Sequence, residues 1–101
     1  MGLTAEVELN LVDAGLVKFF NDNRPAFKEI AVRAYGYARE NVAATGLTLR
    51  RDDVATSLKV ALVTNEKLRE FLAGKKIRQQ FWYARFADLI VDRLWDEMEA
   101  A

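Results

Sequence analysis

The residues of this chain with the most capacity for chemistry gather between positions 75 and 98, in the run KKIRQQFWYARFADLIVDRLWDEM. Lys75, Lys76, Arg78, Gln79, Gln80 and Arg85 stand there among Trp82 and Tyr83, and Arg50 and Arg51 add two cations upstream. Cations meet phosphate, rings stack on bases and glutamine reads base edges, so this set suits a nucleic-acid surface. Two helices joined at Thr64-Asn65 would give that surface a helix-turn-helix form. The same run also carries Trp82, Phe86 and Leu89 at i, i+4, i+7, with Arg85 and Arg93 beside them. Aromatics flanked by arginine are the residues enriched at protein interfaces, so this stripe is a candidate partner-binding face.

Enzyme chemistry finds less to work with. The chain has no cysteine and no histidine, which excludes disulfides, the zinc sites built on those side chains and His-based triads. Ser57, Asp52, Asp53 and Asp88 lack an accompanying base or a Gly-rich phosphate loop, and Asp52-Asp53 is explained by the preference of helix starts for negative charge. Asp92 and Asp96 form only an i,i+4 pair, too little for a metal site. The expectation is a non-enzymatic protein with no cofactor, no metal and no small-molecule substrate.

With 101 residues, 51% of them hydrophobic and 30% charged, the chain has the composition of one soluble globular domain spanning 1–101, not of a disordered segment. No apolar run approaches the roughly 18 residues that suggest a membrane span, and the acidic N-terminus lacks a signal peptide's basic and apolar regions. Glu6 stands where a myristoylation motif needs Ser or Thr. A cytoplasmic protein with no membrane contact is expected. Formal net charge is zero, whereas a dedicated nucleic-acid binder is usually basic. The signs are nonetheless segregated: positions 67–85 are basic, and the tail holds Asp88, Asp92, Asp96, Glu97 and Glu99 against only Arg93.

Periodicity supplies the elements that must position these residues. From Leu3 to Phe20 two periods compete. Ala5, Leu9, Val12, Leu16 and Phe19 recur at helical spacing, while Leu3 to Leu11 also alternates like a strand, which keeps a short strand at 3–9 as the minor alternative. Asn21 to Pro25 is a break. Phe27, Ile30, Ala31, Ala34, Ala38 and Val42 then mark a helix from Pro25 to about Ala44, with Gly36 suggesting a tight crossing and Gly46 a left-handed terminus. A third helix carries Val54, Leu58, Ala61 and Leu62, its stripe widened by Val60 and Val63, and Asn65 caps a short fourth holding Leu68, Phe71 and Leu72 that Gly74 closes. The run AYGYARENVAATGLTLRRDDVATSL resembles the loop and last helix of a histone fold, but the break at Asn21 to Pro25 shortens the long central helix that this fold requires.

The last helix is the central one. Ile77, Phe81, Tyr83, Ala84 and Ala87 continue through Ile90, Val91, Leu94, Trp95 and Met98 as a broad core face, leaving Trp82, Phe86 and Leu89 as a second stripe. A helix apolar on two sides is either enclosed by its own domain or completed by a partner. Asp88 falls on the core face and is expected in a buried or half-buried ion pair with Arg85, Arg33 or Arg39 that fixes register. Lys75, Lys76 and Arg78 at the helix start and Asp96, Glu97 and Glu99 at its end oppose the macrodipole, which an antiparallel partner helix would relieve. The reading is an all-α, compact four- or five-helix bundle. Its expected function is protein-protein interaction, by self-association or as a small subunit, through the second stripe, with nucleic-acid binding as the alternative.

Overall fold

The structure, a computed structural model, describes residues 15–74 and 79–101. Five helices and no strand occur among them: α1 (Leu16–Asp22), α2 (Arg24–Thr45), α3 (Arg51–Val63), α4 (Glu66–Ala73) and α5 (Gln79–Ala100). The helix-or-strand question for 3–12 lies outside the described residues.

Local chemistry ends each element where the sequence places the signal, with small shifts. The break between α1 and α2 narrows to Asn23 alone, with Pro25 accommodated in the first turn of α2. There the missing N–H of proline forfeits no helical bond. Asn23 earns its place through its side chain, whose amide donates to the Phe19 carbonyl at 2.9 Å and whose oxygen accepts from Lys67 Nζ at 3.2 Å, tying this corner to α4. At the far end of α2, Gly46 takes φ 73°, and Leu47 N–H donates back to the Val42 carbonyl at 3.2 Å. This is the left-handed ending that favours glycine. Asp53 accepts from the Arg50 backbone N–H at 2.9 Å to start α3, and Asn65 Oδ1 accepts from Leu68 N–H at 2.9 Å to start α4.

One hydrophobic cluster draws on all five helices, and α5 is its centre, packing against both α2 and α3. Phe86 is fully buried, its ring edge-on to Phe27 at 5.0 Å and within 6.3 Å of Phe20 and Phe19. Ala31, Ala34 and Ala38 supply the buried stripe of α2, where small side chains let neighbouring helices approach. Gly36 is not part of that approach: a Cβ built there meets nothing within 4 Å. Gly36→Ala should therefore stabilise the protein by about 0.5–1 kcal/mol, because glycine's extra unfolded-state freedom is removed without a clash. A higher urea midpoint at unchanged slope is the expected readout.

The orientation of α5 corrects the sequence reading. Trp82 and Phe86 are buried at 5% and 0% relative exposure, whereas Phe81, expected in the core, is 40% exposed. At 100° per residue Phe86 and Leu94 lie only about 80° apart, so the two apolar stripes are the flanks of one face roughly half the circumference wide. The solvent side is the sector holding Phe81, Arg85, Asp88 and Asp92.

Candidate interaction site

The outward side of α3 has an uncommon make-up. Opposite its buried residues Val54, Leu58 and Leu62, and beyond the exposed Arg51 and Asp52 of its first turn, the exposed positions are Thr56, Val60, Val63 and Thr64, with Val60 at 67% and Val63 at 44% exposure. Half-buried Lys59 and exposed Asp52 border this strip on its Val63 side, and its centre at Thr56, Val60 and Thr64 carries no charge. Both threonine hydroxyls turn back to the helix, Thr56 Oγ1 donating to the Asp52 carbonyl and Thr64 Oγ1 to the Ala61 carbonyl, each at 2.9 Å. With the hydroxyls occupied, their methyl groups extend the apolar strip. Val60 and Val63 were expected to widen the core stripe. They do not, because two residues beyond Leu58 is a rotation of about 200° and five residues is one of about 140°.

Beside the strip runs an open groove of about 260 Å³ between α2 and α3. Ile30, Ala34 and Ala61 give it apolar walls, and Arg33, Tyr37, Ser57, Thr64 and Asn65 give it polar ones. Tyr37 is 62% exposed on its α2 side. Val60 follows Ser57 by three residues and precedes Thr64 by four, which puts it on the same flank of α3 as those two groove residues.

The residues expected to bind a partner on α5 are elsewhere. Trp82 and Phe86 are core, and Leu89 is half-buried against it. Arg93 is exposed, and Arg85 lies over the Phe81 ring at 5.1 Å. The second stripe is thus enclosed by the protein itself. The wanted antiparallel neighbour for the acidic end of α5 is partly supplied internally: Glu97 pairs with Arg24 and with Lys28, the latter at 3.6 Å, and Asp92 lies 3.8 Å from Arg51.

The nucleic-acid set is not brought together. Arg51 lies over the Trp95 ring at 5.0 Å, near the far end of α5 from Trp82, and thirteen residues of helix span about 20 Å. Arg50 is 3.8 Å from Asp53. Trp82 at 5% and Tyr83 at 4% exposure have no free ring face for a base. Lys75, Lys76 and Arg78 lie outside the described residues, and Gln79 enters only as the first residue of α5.

Asp88 also departs from expectation. It is exposed on the solvent side of α5, with 60% of its side chain accessible and its carboxylate 3.8 Å from Arg85, while Arg33 pairs with Glu29 and Arg39 lies over Tyr35. Register is therefore set by the apolar face. Partial desolvation raises the Asp88 pKa above the ordinary aspartate value, Arg85 opposes the rise, and Asp52 adds to it. A raised folded-state pKa means that ionised Asp88 opposes folding, a cost absent at low pH that develops as pH rises from the ordinary aspartate range through the raised value. Asp88→Asn should therefore be slightly more stable at neutral pH, with the gap closing near pH 4. A less stable variant at neutral pH would instead give the Arg85 pair the larger weight.

Among the described residues no polar or charged side chain is buried, no three acids gather to hold a metal ion, and no helix is long and apolar enough to cross a membrane. Among the described residues, the α3 strip and the adjoining groove combine exposed apolar surface with polar groups suited to recognition. No protein-family model, no curated protein and no solved structure matches the chain, so the histone-like run stays a local likeness and the reading of function rests on this surface.

Proposed function

We propose that this protein is a non-enzymatic helical interaction module that associates with a second copy of itself through the outward side of α3. The observation that carries the reading is the strip of Thr56, Val60, Val63 and Thr64, exposed in the single chain, with an uncharged centre and with Asp52 and Lys59 at one edge. Interface cores are depleted in charge, and a twofold interface places the same patch against itself. An uncharged centre at Thr56, Val60 and Thr64 can meet its own copy with no ion desolvated there, while Asp52 and Lys59 fall at the solvated rim. Tyr37, exposed across the groove, extends the apolar surface with an aromatic residue of the kind found at hot spots. Sedimentation of the wild-type chain and of Val60→Lys tests the proposal, with a dimer expected for the first and a folded monomer for the second.

A further inference from the structure

We infer that the groove between α2 and α3 is a binding site for a small aliphatic monocarboxylate. Its walls divide the work such a ligand needs. Ile30, Ala34 and Ala61 offer apolar surface and no polar side-chain atom. The polar wall consists of donors. Arg33 spends one N–H on Glu29 at 3.2 Å and has others free, since guanidinium carries five. Asn65 uses its side-chain oxygen as the α4 cap, which leaves its NH2 to donate. The hydroxyls of Tyr37 and Ser57 have no hydrogen-bond partner among the described residues, and none of the described lining residues is acidic.

An anion with a short apolar tail matches this chemistry from both ends. The carboxylate takes charge-assisted bonds from Arg33 and further bonds from hydroxyl and amide, while the tail covers the alanine and isoleucine wall. Size limits the tail. A groove of about 260 Å³, open to solvent on one side, suits a short-chain acid such as hexanoate. Glu29 is the tuning element. It is exposed, lies one turn from Arg33 and competes with the ligand for the same guanidinium.

The groove shares Tyr37 and Thr64 with the self-association surface proposed above, and its readout is ligand affinity and not mass. Hexanoate, hexan-1-ol and acetate titrated into isotopically labelled wild-type protein, followed by amide chemical shifts, provide the test. Hexanoate should move resonances of residues 30–37 and 57–65 and bind about tenfold more tightly than either control, as expected for one charge-assisted bond combined with an apolar tail. Arg33→Gln should bring hexanoate down to the level of hexan-1-ol, and Glu29→Gln should strengthen hexanoate and acetate but not hexan-1-ol. Shifts centred elsewhere, no saturable shift, equal binding of hexanoate and hexan-1-ol, or an Arg33→Gln variant that keeps the preference would overturn the assignment. A change of sedimentation on adding ligand is not needed for it, so loss of the dimer proposal leaves this result readable.

Discussion

Phe86→Ala is expected to cost about 3–5 kcal/mol of folding stability, the range for deleting a buried phenylalanine ring. Phe86 has no exposed surface, and its ring touches Phe27 from α2 and lies near Phe19 and Phe20 from α1, so truncation opens a cavity where three helices meet. A domain of this size has about 5–15 kcal/mol in total, so the variant should be marginal at room temperature. Urea unfolding followed by Trp82 and Trp95 fluorescence is the measurement. Phe86→Leu should retain much of the stability, because it preserves most of the apolar volume. The opposite pattern, a loss under about 1 kcal/mol accompanied by a change in oligomeric mass, is what a partner-facing Phe86 would give, and it would contradict the burial of the second stripe.

The second large effect is Val60→Lys. Val60 is 67% exposed in the single chain, and lysine is at least as favourable as valine in a helix, so the fold should be unaffected. In the proposed dimer the substitution places an ammonium at the uncharged centre of the interface, and twofold symmetry places two of them there. An unpaired buried charge costs about 3–5 kcal/mol, which corresponds to a weakening of at least about hundredfold in the dimer dissociation constant. Circular dichroism should be unchanged while the apparent mass falls. Val60→Ala should give only a small effect, since it removes little apolar area.

Much of the architecture is legible in the residues because local chemistry carries it. Asn65 and Gly46 announce their caps by type, and the spacing of Phe27, Ala31, Ala34 and Ala38 marks the inner side of α2 without reference to any neighbour. The direction of α5 is harder. Its apolar residues cover so much of the circumference that hydrophobicity alone does not say which sector faces water, and choosing Phe81 over Trp82 turns the helix the wrong way. The charges hold the better signal: Arg85, Asp88, Asp92 and Asp96 fall within about 80° of one another, and Phe81 lies inside that sector. Taking them as the solvent side puts Asp88 outside and Phe86 inside. The α3 strip is hidden in the sequence for a related reason. Valine counts as core in any hydrophobic tally, and only its angle from Leu58, together with threonines whose hydroxyls are occupied, distinguishes an exposed apolar strip from a wide buried one. The groove needs α2 and α3 to be brought together, which no local pattern specifies.

Self-association requires that a second copy cover the exposed side of α3. Sedimentation velocity over a range of micromolar concentrations tests this most directly. Wild-type protein should approach twice the 11.5 kDa chain mass as concentration rises, with Val60→Lys staying at the single-chain mass. A wild-type chain that remains a monomer throughout, or a Val60→Lys variant that dimerises as well as wild type, would contradict it.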